Sequence, residues 1–254
     1  MNILCIGDIV GKNGAEMVAS QLKYLKQDYN IDFVIANGEN ANTGNGINRE
    51  RADFLIDAGV DVITLGNHAF SKPRVTELFN DGYPIIRPAN MGEGTSGPGY
   101  IIRTVCGRRV AVINLIGRVF MREADCPFEA ASNLISTLDA DIFIVDFHAE
   151  ATSEKQALGW YLDGKATCVF GTHTHTQTAD ERILPSGTAY ITDVGMTGPY
   201  NSVIGVKKEI AVKKFLTMEN IRYEHAEGNC MLNAIVVSVG ENNLAKSIRR
   251  INLQ

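Results

Sequence analysis

Short apolar runs rich in valine and isoleucine alternate along this chain with longer segments of helical periodicity. β-Branched residues pack well in a buried sheet, so each run predicts a strand, and the alternation is typical of α/β folds in which helices connect strands. The predicted strands cover residues 2–8, 33–36, 61–65, 109–115, 141–146, 166–170 and 189–193, and the predicted helices cover residues 15–29, 49–58, 75–79, 129–138 and 153–162. Pro73 precedes the third of these helices, as a first-turn proline would.

A tight turn interrupts the alternation near the middle of the chain. The sequence Cys106-Gly107-Arg108-Arg109 separates two apolar segments, residues 100–105 and 110–115, and predicts a β-hairpin. Because a hairpin joins antiparallel strands, we expect a mixed sheet, and two sheets with helices outside would fit. Neither an internal repeat nor a Pro/Ser-rich linker divides the sequence. The prediction is a single domain over residues 1–254.

Charge and cysteine content exclude several classes of protein. The 24 basic and 29 acidic residues give a formal net charge of -5, which disfavours constitutive binding to DNA or to an anionic membrane. The five cysteines form no C-x-x-C pair, so we expect neither a disulfide framework nor a zinc ribbon. The first residues lack a basic region followed by a long apolar stretch. We therefore expect a cytoplasmic protein that spans no membrane, and a homo-oligomer stays open.

Polar residues collect at the carboxyl ends of the predicted strands. In alternating β/α folds these ends meet at one edge of the sheet, where ligands bind. Four of the five histidines lie there, and only His225 lies elsewhere. The residues concerned are Asp8 after the first strand, Glu39 and Asn40 after the second, Asn67 and His68 after the third, His148 after the fifth, and His173 and His175 after the sixth.

Each of these motifs alone has a simpler explanation. Asp8 can end a turn or cap a helix, and His148 can be buried for structural reasons. The pair His173-x-His175 is a stronger signal, because alternate residues of an extended segment face the same side. Together, one aspartate, one glutamate, two asparagines and three histidines supply about the ligand number of two first-row metal ions. Oxygen and imidazole donors without thiolate suit Fe, Mn, Co, Ni or Zn.

In this order the motifs resemble those of the calcineurin-like metallophosphoesterase superfamily, whose pattern runs D-x-H, G-D, G-N-H-[DE], H and G-H-x-H. The similarity extends from Asp8 to His175. The sequences GEN at residues 38–40 and GTHTH at residues 171–175 are similar to the YmdB-like branch of bacterial phosphodiesterases. That similarity covers nearly the whole chain, including DVGMTGP at residues 193–199. The resemblance implies a four-layer α/β-β/α sandwich with two mixed β-sheets flanked by helices.

The resemblance also implies a centre of two divalent first-row metal ions per chain, with iron or manganese favoured over zinc, cobalt and nickel. Glu39 would bridge the ions, with Asp8, Asn40 and His175 completing one site and Asn67, His148 and His173 the other. His68, adjacent to a ligand, would be catalytic. The implied activity is that of a phosphodiesterase acting on cyclic nucleotides, in particular RNA-derived ones such as 2′,3′-cyclic AMP.

Three positions depart from the general pattern of the superfamily. Val10 stands where D-x-H has its histidine, so the first site needs another ligand, for which Asn40 is the candidate. Glu39 replaces the usual bridging aspartate, and its longer side chain shifts the loop backbone. Ala69 replaces the acid that often follows the motif histidine. His68 must therefore be oriented by another residue, which the sequence does not identify.

These residues would support attack of a metal-bridging hydroxide on phosphorus, with His68 protonating the leaving oxygen. Two other hypotheses stay open: a metal-stabilised regulatory or binding protein with vestigial phosphatase activity, and a phosphomonoesterase. Arg118 is interpreted as a solvated loop arginine, although it could meet the phosphate or a base. Gly44-x-Gly46 is interpreted as a flexible loop, and residues 195–200 either shape the substrate pocket or merely turn the chain.

Overall fold

The computed structural model describes residues 1–43 and 45–254, so the loop interpretation of Gly44-x-Gly46 falls in part outside the described residues. The helices are α1 (Gly11–Asp28), α2 (Arg49–Asp57), α3 (Val75–Asn80), α4 (Pro127–Thr137), α5 (Thr152–Tyr161) and α6 (Lys208–Thr217). The strands are β1 (Asn2–Ile6), β2 (Asp8–Ile9), β3 (Phe33–Asn37), β4 (Val62–Thr64), β5 (Ile85–Ile86), β6 (Tyr100–Val105), β7 (Arg108–Ile116), β8 (Ile142–His148), β9 (Cys168–Thr172), β10 (Arg182–Ile183), β11 (Ala189–Ile191), β12 (Met196–Pro199), β13 (Cys230–Val239) and β14 (Ala245–Leu253).

The strands form two mixed sheets. The first sheet has the order β2-β12-β13-β1-β3-β4-β5, and β14 also pairs with β13. In it, β1, β3, β4 and β5 are parallel, while β13 is antiparallel to β1. The second sheet has the order β10-β11-β9-β8-β7-β6, with β7, β8, β9 and β11 parallel. The predicted hairpin is confirmed, because β6 pairs antiparallel with β7 across a turn at Cys106 and Gly107.

Three buried apolar clusters separate four layers of structure. Leu22 of α1 belongs to the cluster that packs helices against the outer face of the first sheet. Ile35 of β3 and Ile144 of β8 belong to the cluster that fills the space between the two sheets. Leu158 of α5 and Phe147 of β8 belong to the cluster on the outer face of the second sheet. The order helix, sheet, sheet, helix is the four-layer sandwich that the resemblance implies.

The longest helix shows how the apolar periodicity selects the helical segments. Val18, Leu22 and Leu25 of α1 recur at helical spacing, and all three are buried. The helix begins at Gly11, four residues before the predicted start at residue 15. The apolar pattern does not reveal this first turn, because Lys12 and Asn13 are polar.

The first predicted strand is divided at Gly7, which corrects the sequence-based boundary. The Gly7 N–H donates to the Asn233 carbonyl, and the next residue, Asp8, pairs with Met196 of β12 instead of continuing beside β3. Most of the segment 195–200 is consequently a strand and not a loop. It lies between β2 and β13 in the first sheet.

Other differences lie at helix ends and near the C-terminus. α4 begins at Pro127, in the first turn, where a proline costs no hydrogen bond. Pro73, by contrast, lies before α3, whose N-cap is Arg74. The predictions omit α6, whose apolar residues Phe215 and Leu216 are exposed and form no buried stripe. They also omit β13 and β14, and in β14 charged side chains interrupt the apolar pattern.

Candidate metal centre

The polar strand ends meet where the two sheets face each other. Asp8 belongs to β2, Glu39 and Asn40 follow β3, Asn67 and His68 follow β4, His148 ends β8, and His173 and His175 follow β9. The first sheet thus provides five of these residues and the second sheet three. All eight are joined by the short contacts described below, and we call them the polar cluster.

Glu39 lies at the centre of the polar cluster and is 1% exposed. Its Oε1 is 3.0 Å from His148 Nε2 and accepts a hydrogen bond from Asn40 Nδ2 at 3.3 Å. Its Oε2 accepts the backbone N–H of His68 at 2.9 Å. Burial opposes ionisation, but His148 lowers the pKa of Glu39 to about 2. The position therefore holds a carboxylate at neutral pH.

His148 connects Glu39 with ligand candidates from both sheets. Its Nε2 is 2.9 Å from Asn67 Oδ1 and 3.0 Å from His173 Nδ1. Burial opposes protonation, but Glu39 and Asp8 raise the pKa of His148 to about 9. At His173, burial lowers the pKa to about 3. A metal ion held by Nε2 of His148 would have to displace the proton there, so its binding would release a proton.

A chain of hydrogen bonds that begins at Nδ1 orients the ring of His148. Thr172 Oγ1 lies 2.9 Å from Nδ1 and donates its single hydrogen to Asp146 Oδ1 at 2.7 Å. The hydroxyl must therefore accept from Nδ1–H, which leaves the lone pair of a neutral ring on Nε2, facing Glu39. Asp146 is fully buried, and burial raises its pKa to about 6. It also accepts hydrogen bonds from Asn37 and Thr64, which tie the two sheets together at the site.

Asp8 carries an unsatisfied oxygen into the polar cluster. Its Oδ2 accepts the backbone N–H of His173 at 3.0 Å, and its Oδ1 lies 3.7 Å from His175 Nε2. His175 Nε2 is also 3.2 Å from Asn40 Nδ2. Within the described residues, the buried Oδ1 of Asp8 has no hydrogen-bond partner. Such an oxygen is costly to bury unless a cation or another donor meets it.

The segment from His173 to His175 is a bend, so the expectation of an extended pair is wrong. His173 has φ +101° and His175 has φ +63°, both in the left-handed region. Asp193 holds the bend, because its Oδ2 accepts the backbone N–H of Thr174 at 3.2 Å and its hydroxyl at 2.8 Å. The same oxygen accepts from Lys155 Nζ at 2.6 Å, and both members of this ion pair are 1% exposed. A turn, and not strand alternation, directs the two imidazoles into the cluster.

The surroundings of His68 supply the partners that the sequence did not identify. Asn45 Nδ2 lies 3.0 Å from His68 Nε2, and Ser71 Oγ lies 3.2 Å from Nδ1. Burial lowers the pKa of His68, although Glu39 opposes that shift. The ring is therefore held by neutral polar groups.

Gly66 explains why a glycine precedes the Asn67-His68 pair. A Cβ at position 66 would lie 2.3 Å from His148 Cδ2 and 2.4 Å from Glu39 Oε2. Any side chain there would displace two members of the polar cluster. The glycine is needed for close approach and not for a special backbone angle.

The structure adds residues that sequence reasoning missed. Glu150 Oε2 lies 3.1 Å from His173 Nε2, and its position two residues beyond His148 was the available signal. His225 lines a cavity of about 560 Å³ together with His68, His173 and His175, although its position in the sequence set it apart from the other histidines. Arg118 is exposed, as predicted, and its backbone N–H donates to Glu154 at 2.9 Å.

The donor set suits a divalent first-row cation. Ligand atoms of Glu39, His148 and His173 all lie within 4.8 Å of one another. Carboxylate oxygens and imidazole nitrogens are donors that such ions accept, and the unpartnered oxygen of Asp8 adds a further negative donor beside them. The residues present therefore fit a metal ion by charge, by donor type and by spacing.

Comparison with known proteins places this architecture in a family. The family model described as YmdB-like protein matches residues 4–251. A 2′,3′-cyclic-nucleotide 2′-phosphodiesterase of Bacillus subtilis (strain 168) is 47% identical over 243 residues, which cover 95% of this chain and 92% of that protein. A crystal structure of a hypothetical protein from Thermus thermophilus has a TM-score of 0.95 and 41% identity, covering 99% of this chain and 98% of that chain.

A second solved structure, from Mycoplasma pneumoniae, is described as a novel phosphatase. It has a TM-score of 0.95 and 35% identity, and the match covers 100% of this chain and 93% of that chain. These similarities extend over almost the full sequence, and the residues matched by the family model include all eight residues of the polar cluster. The chain belongs to the family of YmdB-like proteins.

Proposed function

We propose that this protein is a metal-dependent phosphodiesterase that hydrolyses cyclic nucleotides such as 2′,3′-cyclic AMP. The observation that carries the proposal is the convergence of Glu39, His148 and His173, with ligand atoms within 4.8 Å, beside a cavity that Glu39, His173 and His68 line. The relative from Bacillus subtilis, which is 47% identical, is named for that chemistry. A phosphodiester is therefore the substrate class that suits both the donors and the family.

The proposed centre holds two divalent ions, with iron or manganese favoured. Glu39, which contacts both Asn40 and His148, is the proposed bridging ligand. The other proposed ligands are Asp8, Asn40 and His175 for one ion, and Asn67, His148 and His173 for the other. When bound, such a pair lowers the pKa of a water molecule and stabilises negative charge on a phosphoryl group.

The proposed role of His68 is to hold and deliver a proton. Its backbone N–H is fixed to Glu39, and its ring lies between Asn45 and Ser71, so it faces the cavity without being a member of the ligand set. Burial lowers the pKa of His68, so its protonated form gives up the proton more readily but is a smaller fraction of the protein at neutral pH. A proton donor at this position assists the departure of an alkoxide, such as the ribose oxygen of a 2′,3′-cyclic nucleotide.

Replacement of His68 tests this role. We expect His68→Ala to lower kcat for 2′,3′-cyclic AMP by about 10²-fold or more, the range typical of a lost general acid. Bis-p-nitrophenyl phosphate releases a nitrophenolate that needs little protonation, so its hydrolysis should fall much less. Metal content, measured by elemental analysis of both proteins, should be unchanged.

Other outcomes distinguish the competing hypotheses. If kcat fell equally on the two substrates, His68 would not be the proton donor. If His68→Ala lost metal, the residue would be needed to hold the metal centre together. Metal-loaded wild type that cleaves no phosphoester would favour a regulatory or binding protein. Preferential hydrolysis of p-nitrophenyl phosphate would favour a phosphomonoesterase.

A further inference from the structure

The cavity lined by five residues of the polar cluster has a second, less polar part; the five are Glu39, Asn40, His68, His173 and His175. Besides ligand candidates, its lining includes Val10, Ile204, Val206, Tyr223 and His225. The cavity volume of about 560 Å³ lies within the range of small-molecule sites, about 300–1,000 Å³. A cavity with a charged metal-binding part and an apolar, aromatic part suits a ligand that joins an anion to a planar apolar group.

Two chain segments build this apolar part. Val206 forms isolated β-bridges with Val203 and with His225, so the segment before α6 and the segment after it are paired. The Lys207 N–H donates to the Glu224 carbonyl at 2.9 Å, which extends the pairing. We call Ile204, Val206, Tyr223 and His225 the 204–225 wall.

The 204–225 wall is attached to the polar cluster at two points. His175 Nδ1 lies 2.8 Å from the carbonyl oxygen of Ile204, a β-branched residue in the left-handed region at φ +48°. The imidazole of His225 lies against Gly11, where a Cβ would be 2.5 Å from its Nδ1. Gly11 has φ +64° and lies two residues after the strand that carries Asp8. The wall is therefore held in place before any ligand arrives.

Tyr223 supplies the aromatic ring of this wall, and the residue is 47% exposed. Lys214 Nζ lies 4.1 Å from the ring centroid, so a cation packs on the ring while much of the side chain stays accessible. Other exposed aromatic residues, such as Phe120 and Trp160, lie outside the lining of this cavity. Aromatic side chains bind nucleobases by stacking, and this contact tolerates different bases because every base has a π-face.

We infer that the 204–225 wall binds the nucleobase of the substrate, with Tyr223 stacking on the base while the phosphate lies at the polar cluster. The inference rests on the proposed function and adds the residues that make a nucleotide preferable to other phosphodiesters. A neighbouring cavity of about 670 Å³ shares Val10, Asn45, Val206, Tyr223 and His225 with this one. The base end of the site is therefore open, which leaves room for purines as well as pyrimidines.

A pair of substrates tests the wall separately from the chemistry. One is 2′,3′-cyclic AMP, and the other is methyl ribofuranoside 2′,3′-cyclic phosphate, which carries a methoxy group in place of the base. For Tyr223→Ala we expect KM for 2′,3′-cyclic AMP to rise about tenfold with kcat nearly unchanged, since stacking on one ring is lost. Both parameters for the base-free phosphate should stay at wild-type values. Tyr223→Phe should restore the wild-type KM.

The matched control is Tyr24→Ala, at an exposed tyrosine on α1 that lines neither cavity. It should leave all parameters unchanged. A second measurement needs no variant: adenosine should inhibit the wild-type protein competitively, and methyl ribofuranoside at the same concentration should not.

Several results would overturn the inference. Equal wild-type KM values for the two cyclic phosphates, with both hydrolysed, would exclude base binding while leaving the phosphodiesterase intact. A Tyr223→Ala effect of the same size on both substrates would assign the residue to the phosphate end or to folding. A wild-type protein that hydrolyses neither would refute the proposed function and the inference together.

Discussion

Asp180 shows how a single carboxylate supports the site from outside it. It accepts the hydroxyl of Thr178 at 2.6 Å, the backbone N–H of Thr192 at 3.1 Å and the hydroxyl of Thr192. Thr178 in turn accepts the backbone N–H of Asp193, the residue that holds the bend between His173 and His175. Burial opposes ionisation of Asp180, but the hydrogen bonds from Thr178 and Thr192 lower its pKa.

A stability measurement against pH checks this carboxylate. Because the pKa of Asp180 in the folded chain lies below its ordinary value of 3.8, its ionised form stabilises the fold at pH above 3.8. The contribution is lost as pH falls from there through the lowered pKa. We expect Asp180→Asn to reduce the free energy of unfolding by about 1–2 kcal/mol at neutral pH, since hydrogen bonds to a charged acceptor are lost. The difference should shrink below pH 3.8 in urea unfolding of metal-free protein, and a difference independent of pH would contradict this role.

At the scale of elements, an ion pair joins a helix, a strand end and the metal-site bend. Lys155 lies on α5, Asp193 follows β11, and the Thr174 that Asp193 holds follows β9. The Gly195 N–H also donates to Asp193 Oδ1 at 2.8 Å, directly before β12. Packing among these elements is therefore coupled to the positions of the two imidazoles.

Removal of Asp193 should affect both stability and metal binding. Asp193→Ala leaves the Lys155 charge buried without its partner, so we expect a loss of about 3–5 kcal/mol in the free energy of unfolding. It also releases the left-handed bend, so the metal content of the folded protein should fall. Chemical denaturation and elemental analysis measure the two effects.

The exposed ion pair between Arg49 and Asp81 is the matched control, with side chains 46% and 52% exposed. Asp81→Ala should cost no more than about 1 kcal/mol and leave the metal content unchanged. If Asp193→Ala retained full metal content, the two imidazoles would be positioned by something other than this ion pair.

At the scale of the whole molecule, the site belongs to both sheets at once. Asp146 of the second sheet accepts hydrogen bonds from Asn37 and Thr64 of the first, beside the histidine that contacts Glu39. Within residues 1–43 and 45–254, no helix is both long and apolar enough to cross a membrane. The single domain over residues 1–254, the cytoplasmic location and a homo-oligomer stay predictions, the last testable by light scattering on the purified protein.

Metal removal tests the coupling between site and fold. A ligand that binds only the folded state stabilises it by mass action, by about 2.7 kcal/mol at a hundred times its Kd. We therefore expect a chelator to lower Tm and added Mn²⁺ to restore it. In Asp8→Ala, which removes the buried carboxylate with the unpartnered oxygen, Mn²⁺ should raise Tm much less. A wild-type Tm independent of metal concentration would argue against a metal at the polar cluster.

Much of the fold and the composition of the candidate site follow from local sequence. The valine- and isoleucine-rich runs predict β3, β4, β7, β8 and β9, because a buried parallel strand must be apolar on both faces. Parallel strands of one sheet end at the same edge, so residues such as His148 and His173, which end and follow the paired strands β8 and β9, could be expected to meet. By contrast, β12 was missed because its short, glycine-containing sequence becomes a strand only by pairing with β2 and β13.

The sequence by itself determined which chemical groups reach the strand ends: carboxylates, amides and imidazoles in an order that resembles one superfamily. Only the tertiary structure decided how those groups are held and what else faces them. The left-handed bend at His173 depends on Asp193, and the wall beside the site depends on Tyr223 and His225, all from distant parts of the chain. Periodicity and motif spacing report local geometry, whereas these contacts exist only after the two sheets and the C-terminal segments have packed together.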